Sequence, residues 1–265
     1  MSNAVSKQKE LLSLLCNPHT GNPLKLEKGH LKDTVTRESF LIREGIPVIL
    51  RKEDVFGWNR KQQKGYDWGS YFYDLLYTFN LLNLKQWLSE IAGIMEVKSG
   101  DYCLETSVGT GQQLLNLKKH GVDGHFFGND ISYGMLRKCK KNIKKWELDV
   151  GLVQGNAEAL PFRDRIFDVV FHVGGFNFFN DKKRAIDEMV RVARPEAKLY
   201  IVDETDSIRD KRGTFATIIS RYLPERETYD PPLNLIPDDM LKVKEDKLLE
   251  GKFWMVSFQK PANRP

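Results

Sequence analysis

The stretch Leu104-Glu105-Thr106-Ser107-Val108-Gly109-Thr110-Gly111 decides how this chain is read. The apolar run Tyr102-Cys103-Leu104 leads into it, and a helical pattern from Gln112 to Lys119 follows at once. Without a Cβ, Gly109 and Gly111 let backbone approach a ligand closely. The free amides of the first helical turn face the same spot. A dinucleotide-type loop would place its third glycine at position 114, where this chain has Leu114. An acid, Glu105, instead stands at the strand tip, which suits a cationic ligand group such as an amino acid's ammonium.

Further along, His125-Phe126-Phe127 forms a second strand that closes on Asp130, 19 residues after Gly111. At this spacing an acid accepts hydrogen bonds from ribose hydroxyls, or else caps the helix that runs from about Ser132 to Trp146. A third strand, Val150 to Val153, leads into Gln154-Gly155-Asn156-Ala157-Glu158-Ala159-Leu160-Pro161-Phe162. An Asn and a small Ala at a strand tip can bond an adenine edge and leave room for its ring; an ordinary turn is the other reading. Phe167-Asp168-Val169-Val170-Phe171 is a fourth strand, Lys182 to Val192 a helix and Lys198 to Val202 a fifth strand. Strands alternating with helices predict βαβ units and a parallel sheet. The end of the chain differs: Met240 to Leu249 and Lys252 to Gln259 flank Glu250-Gly251 as an antiparallel hairpin.

LETSVGTG, then Asp130, then GNAEALPF followed by FDVVF, resemble the class I S-adenosylmethionine-dependent methyltransferases, in particular the ubiquinone/menaquinone-biosynthesis-like group. The resemblance covers about residues 99–205. It implies an α/β fold: a Rossmann-like seven-stranded sheet with an antiparallel last strand, for which the 240–260 hairpin fits. It also implies S-adenosylmethionine as cofactor. Glu105 would help hold the methionine ammonium, with Ser107, Gly109 and Gly111 along the methionine. Asp130 would hold the ribose, with Ile131 beside the adenine and Asn156 and Ala157 in contact with it. His172, Val173 and Gly174 would border the sulfonium and the acceptor, which makes His172 the candidate catalytic residue. Ser107 departs from the commonest first glycine of this loop, and Asn156 from the commoner Asp.

Residues 1–55 have another texture: a short helical pattern from Lys7 to Leu15, then Pro18, Gly21, Pro23 and Gly29, then Gly45-Ile46-Pro47-Val48-Ile49-Leu50 as a turn into a strand. Leu15-Cys16-Asn17-Pro18-His19 and the 45–50 run resemble the small zinc-ribbon-like domain fused to some methyltransferases. Zinc ribbons use two Cys-x₂-Cys pairs. Here only Cys16 and His19 have that spacing, and His30 alone does not complete the set, so the expectation is a degenerate ribbon without metal. Between 56 and 98 aromatics crowd (Trp58, Tyr66, Trp68, Tyr71, Phe72, Tyr73, Tyr77, Phe79, Trp87), and apolar residues recur at helical spacing from Tyr71 to Ile94. Such a stripe is either core or a helical lid over a pocket. The expected division is therefore a ribbon-like unit at 1–55, a helical lid or linker at 56–98 and a methyltransferase domain at 99–265.

Composition bounds the function. With 41% hydrophobic and 29% charged residues, the chain of 265 residues has the make-up of a globular protein rather than a disordered one. No apolar run is long enough to span a bilayer or serve as a secretory leader, and three scattered cysteines (Cys16, Cys103, Cys139) give no disulfide framework. A cytoplasmic location is expected. The net charge of +5 permits an acidic partner without demanding one. Arg137, Lys138, Lys140, Lys141, Lys144 and Lys145 crowd one helix, as a solvated face or as an RNA-binding surface. Strand four does not end in the Asn/Asp-Pro-Pro-aromatic string of amino-directed enzymes. With Phe176, Phe178 and Phe179 and the aromatic segment, this favours C- or O-methylation of a small, largely apolar or aromatic acceptor. The alternatives are an RNA methyltransferase and a non-catalytic cofactor-binding or partner-activating protein.

Overall fold

The computed structural model describes residues 4–57, 60, 63, 84–205 and 230–264. Their strands join in one eleven-stranded sheet: β1 (Leu24–Glu27), β2 (His30–Asp33), β3 (Ser39–Arg43), β4 (Ile46–Val48), β5 (Tyr102–Glu105), β6 (His125–Asp130), β7 (Val150–Gln154), β8 (Phe167–Val173), β9 (Ala193–Glu204), β10 (Leu241–Leu248) and β11 (Phe253–Gln259). Their order is β1-β2-β3-β4-β7-β6-β5-β8-β9-β11-β10. The seven strands from β7 to β10 are the expected sheet: β7, β6, β5, β8 and β9 run parallel, and β11 enters antiparallel between β9 and β10. The sheet exceeds the expected seven strands because β1–β4 extend it. β4 pairs in parallel with β7 through Val48 and Gln154, and Ile49 N donates to Gln154 O at 2.8 Å.

Alternation along each strand explains the layering. Leu104, Phe127, Val170, Leu199 and Ile201 pack on one face with α1 (Ala4–Leu14) and α5 (Lys182–Val192). Cys103, Phe126, Val169, Phe171, Tyr200 and Val202 face the other way, onto α2 (Leu84–Ile94), α3 (Gln112–Lys119) and α4 (Tyr133–Lys145). The N-terminal region packs into the main core: Leu11, Leu15, Leu24, Leu31, Phe40 and Ile49 join the first cluster. The Gln8 side chain fills in for a missing strand partner, donating to Leu152 O (3.1 Å) and accepting from Leu152 N (3.0 Å).

In α4, Met135, Leu136, Cys139 and Ile143 turn inward while Arg137, Lys140, Lys141, Lys144 and Lys145 stay exposed, so the charge run lies on the outer face of an amphipathic helix. Of the aromatic segment, Trp87 is described. It is buried and stacks on Phe253 with ring centroids 4.1 Å apart, a core contact. Trp58, Tyr66, Trp68, Tyr71, Phe72, Tyr73, Tyr77 and Phe79 lie outside the described residues, as does the body of the expected lid.

Candidate functional site

The carboxyl ends of β5, β6, β7 and β8 come together, and each turn there is held by a side chain from elsewhere. After β5 the loop reverses at Gly109 (φ 52°) and Gly111 (φ 83°), and α3 starts directly after Gly111. A Cβ on Gly111 would lie 2.9 Å from Cys139 Sγ, so glycine answers both the backbone angle and the packing. Thr106 N donates to Phe171 O (2.9 Å) and Val108 N to Asn129 O (2.8 Å). Asn129 Nδ2 donates to Thr106 O (3.0 Å) and Gly155 O (3.2 Å), and Asn142 Nδ2 to Thr110 O (3.0 Å). Asn129 fits only because Gly155 is bare: a Cβ there would lie 2.5 Å from its Oδ1.

Glu105 closes β5 with 3% of its surface exposed, and among the described residues its Oε2 has no hydrogen-bond partner. Burial, reinforced by the nearby Asp130 charge, pushes its carboxyl well above the usual range. Leaving a buried acceptor unmet is costly; a cationic donor would remove that cost. Asp130 ends β6. Its Oδ2 accepts from Gly109 N and its Oδ1 from Ser132 N, both at 2.8 Å, so it ties the glycine loop to the start of α4. The cap of α4 is Ser132, whose hydroxyl accepts from Met135 N. Ile131 O accepts from Gln154 Nε2 and from Gln63 Nε2, each at 2.9 Å. Asn156 follows β7, but its Oδ1 accepts from Glu158 N (2.9 Å) and its Nδ2 donates to Asp54 O (3.0 Å). Ala157 beside it is buried.

At the end of β8, His172 is fully buried. Its Nδ1 lies 3.0 Å from Thr106 Oγ1, its Nε2 has no well-formed hydrogen bond among the described residues, with the Gly174 backbone nearby, and its ring packs at a steep angle on Phe176 and Phe179. Burial pushes its pKa down to about 3, so the ring is neutral. Val173 leads into Gly174 (φ 78°) and Gly175 (φ 85°). A Cβ on Gly174 would lie 3.8 Å from the Trp87 ring, which places α2 at this strand tip. Asp203, on the neighbouring β9, fixes the following turn: its Oδ1 accepts from Gly175 N (3.2 Å) and its Oδ2 from Asn177 N (2.7 Å).

The structure thus gathers Glu105, Ser107, Gly109, Gly111, Asp130, Ile131, Asn156, Ala157, His172, Val173 and Gly174 on the turns at one edge of the sheet. Asn129, Asn142 and Asp203 hold those turns and were not singled out from the sequence. A polar pair, Asn129-Asp130, closing the apolar strand His125-Phe126-Phe127 was the available signal for the first of them. Cys16, His19 and His30 do not converge: Cys16 is buried, with its thiol pushed up to about 11 by desolvation, His19 pairs with Asp54 and His30 faces Lys28 O. Among the described residues no three His, Cys, Asp or Glu side chains gather in a metal-binding group.

Residues 104–201 match the methyltransferase domain family. The demethylmenaquinone methyltransferase of Bacillus mycoides is 35% identical over 121 residues, 45% of this chain and 51% of that protein. The one from Lactobacillus johnsonii is 32% identical over 130 residues, 47% of this chain and 53% of that protein. The chain therefore spans about half the length of the relatives it matches. Among solved structures, a Methanococcus maripaludis protein assigned as an S-adenosyl-L-methionine-dependent methyltransferase superposes with TM-score 0.59 at 20% identity, over 75% of this chain and 94% of that one. Phosphoethanolamine N-methyltransferase 2 of Haemonchus contortus, solved with S-adenosyl-L-methionine, gives 0.53 at 14%, over 68% of this chain and 53% of that one. Residues 104–201 thus match the methyltransferase domain family, and the strand order around them agrees with the fold of the solved methyltransferases.

Proposed function

We propose that the chain binds S-adenosylmethionine at this edge and transfers its methyl group to carbon or oxygen of a small, largely apolar acceptor of quinone type. The observation that carries the reading is the buried, unmet Glu105 Oε2 at the head of a glycine loop clamped to Asp130. An orphaned carboxylate oxygen fits an ammonium, and a bare loop fits the chain of an amino acid, so the residues present suit this cofactor. When bound, S-adenosylmethionine would supply an electrophilic methyl group that the acceptor's nucleophile takes directly, with the neutral thioether as leaving group. Glu105 takes the ammonium, and Gly109 and Gly111 let the backbone close on the methionine. Asp130, its carboxylate aimed by the amides of Gly109 and Ser132, holds the ribose hydroxyls. Asn156 shapes the adenine side through its bonds to Glu158 and Asp54. Such a reaction needs alignment and exclusion of water more than a catalytic triad, so His172, neutral and enclosed by phenyl rings, serves as a wall of the acceptor side.

Residues 56–98 are the proposed lid between a ribbon-like unit at 1–55 and the domain at 99–265. Support comes from its described ends. Asp54 O is bonded by Asn156, Phe56 O accepts from Asn180 Nδ2 (3.2 Å), and Gln63 reaches Ile131. At the far end Trp87 lies by Gly174. These described residues lie beside the turns after β6, β7 and β8, which supports the lid reading. The quinone-type acceptor rests on the demethylmenaquinone methyltransferase relatives and on the aromatic density of 56–98. Among the described residues no helix is long and apolar enough to cross a membrane.

Titration calorimetry tests the cofactor: S-adenosylmethionine binds and NAD does not, and Asp130→Ala weakens binding by about 1.5–3 kcal/mol, the worth of a charge-assisted hydrogen bond. Labelled methyl transfer to demethylated quinones, set beside transfer to RNA, tests the acceptor. Unchanged affinity in Asp130→Ala removes the ribose assignment. Label on RNA alone transfers the reading to an RNA methyltransferase, and binding without any transfer makes the chain a cofactor-binding protein.

A further inference from the structure

Two short turns in the N-terminal region have the same construction. In the first, Asn17 N donates to Asn22 O (2.9 Å) and Gly21 N to Asn17 O (2.8 Å). His19 N donates to the Asn17 side-chain oxygen (3.1 Å) and Asn22 N to Thr20 Oγ1 (3.2 Å). In the second, Asp33 N donates to Glu38 O (2.9 Å) and Arg37 N to Asp33 O (3.1 Å). Val35 N donates to the Asp33 side-chain oxygen (2.8 Å) and Glu38 N to Thr36 Oγ1 (3.4 Å). The residues after Thr20 and Thr36 are left-handed, Gly21 at φ 73° and Arg37 at φ 63°. A non-glycine residue seldom takes that conformation, so its recurrence at the matching position marks one backbone shape used twice. Each turn sets a polar pair with two residues between: Asn17 with Thr20, and Asp33 with Thr36.

That is the spacing of the two ligand pairs of a ribbon-type zinc site, in a register one residue later than Cys16 and His19. The set here is an amide, two hydroxyls and one carboxylate, which does not suit a site that calls for thiolates or imidazoles. A different bond joins the turns. Asp33 is fully buried, and its Oδ2 accepts from Asn17 Nδ2 and Thr20 Oγ1 of the first turn, both at 2.8 Å. Its Oδ1 accepts from Val35 N and from Thr36 N (2.9 Å) of its own turn, and Asn22 Nδ2 adds a contact at 3.1 Å. Glu38 buttresses the join, taking Asn17 Nδ2 at 2.9 Å and the Arg51 guanidinium on both oxygens (2.7 and 2.6 Å).

We propose that residues 17–38 are a pair of ribbon knuckles joined without metal, in which the Asp33 carboxylate occupies the centre and does by hydrogen bonding what a zinc ion would do by coordination. The geometry makes the exchange reversible: cysteines at 17, 20, 33 and 36 would restore a thiolate set.

The test uses the full chain with zinc and cobalt(II) as probes. The wild-type protein takes up neither metal and keeps its melting temperature in chelator. N17C/T20C/D33C/T36C takes up one metal per chain, shows the absorption of tetrahedral cobalt thiolate, and melts at a temperature that drops when metal is removed. Asp33→Asn, which turns an acceptor into a donor facing the Asn17 and Asn22 amides, lowers the melting temperature by about 3–8 °C and opens 17–38 to protease. One zinc per wild-type chain would overturn the proposal. So would a folded four-cysteine variant that binds no metal. If that variant folds in neither condition, Asp33→Asn decides alone: an unchanged melting temperature and cleavage pattern overturns the proposal, and the loss supports it.

Discussion

Two buried carboxylates divide this molecule by purpose. Asp33 and Glu105 are both withdrawn from solvent, yet among the described residues Asp33 receives five donors and Glu105 Oε2 none. Burial pushes the Asp33 carboxyl up, but the amides of Thr36 and Val35 with the Thr20 and Asn17 side chains outweigh it and hold the group below the usual carboxylate range. Burial pushes Glu105 up with nothing to oppose it, and Asp130 adds to the shift. A carboxylate whose bonds are all made within the chain stabilises the fold. One left unmet destabilises the free protein and is justified by what binds it.

The backbone offers the first way to break that comparison. Arg37 and Gly111 are both left-handed, but the Arg37 side chain lies on the surface, paired with Glu27 on both oxygens (3.2 and 2.7 Å), while a Cβ on Gly111 would press on Cys139 Sγ at 2.9 Å. Gly111→Ala combines a left-handed penalty of about 1–2 kcal/mol with overpacking of about 1–3 kcal/mol, so a loss of about 2–5 kcal/mol is expected in urea unfolding. Arg37→Gly relieves the same backbone angle and should change stability by under about 1 kcal/mol. Equal losses in the two variants would mean that the glycine loop is not the more tightly built of the two turns.

The second way concerns Glu105 itself. Because its pKa is raised in the folded chain above the unfolded value, this group favours folding least at high pH: its penalty is absent below the unfolded pKa and grows as pH rises. Glu105→Gln should therefore unfold at equal or higher urea than wild type at pH 8. Its affinity for S-adenosylmethionine should fall by about 10- to 100-fold, equivalent to about 1.5–3 kcal/mol for a lost charged hydrogen bond. An ammonium draws the proton off a raised carboxyl, so wild-type binding should release protons and tighten with rising pH. Calorimetry in buffers of differing ionisation enthalpy reads this, and the release should vanish in the variant. A variant that loses stability and keeps its affinity would place Glu105 with Asp33, as a structural group.

Local pattern made much of this legible. The helices Gln112–Lys119 and Lys182–Val192 follow from apolar spacing, and the 241–259 hairpin from its Glu250-Gly251 turn. Glu105, Gly111 and Asp130 follow from where the strands end. What stayed hidden depends on residues far apart in the chain. Nothing near Val48 says that it will pair with Gln154, because a parallel pairing across about a hundred residues leaves no local trace. Asn129, Asn142 and Asp203 act by bonding another element's backbone, and their neighbours in sequence do not name the target. Asn156, the expected adenine contact, also donates through its Nδ2 to Asp54 O, a partner far back in the chain that its neighbours do not name. In the N-terminal region the sulfur and imidazole stand at Cys16 and His19, whereas the repeated turns begin at Asn17 and Asp33.

His172 combines the two conditions, one ring nitrogen met by Thr106 and the other without a well-formed hydrogen bond among the described residues. Burial holds it neutral, with its pKa pushed down to about 3 against an ordinary value near 6.5. The sign follows from linkage: as pH falls below about 6.5, the unfolded chain takes up a proton that the folded chain refuses. Stability from this group is complete above that pH and is lost progressively toward the folded pKa, at up to about 1.4 kcal/mol for each pH unit. Between pH 7.5 and 5.0 the wild-type protein should thus lose about 2 kcal/mol more than His172→Gln, whose side chain can still meet Thr106 without titrating. Urea unfolding at the two pH values measures the difference. Methyl transfer at pH 8 should persist in His172→Gln within about tenfold, since a wall needs shape, while a general base typically contributes about 100-fold or more. A loss of that larger size without a matching loss of affinity, together with equal acid sensitivity of the two proteins, would make His172 a proton acceptor and move it to the side of Glu105, among the groups kept unmet for a ligand.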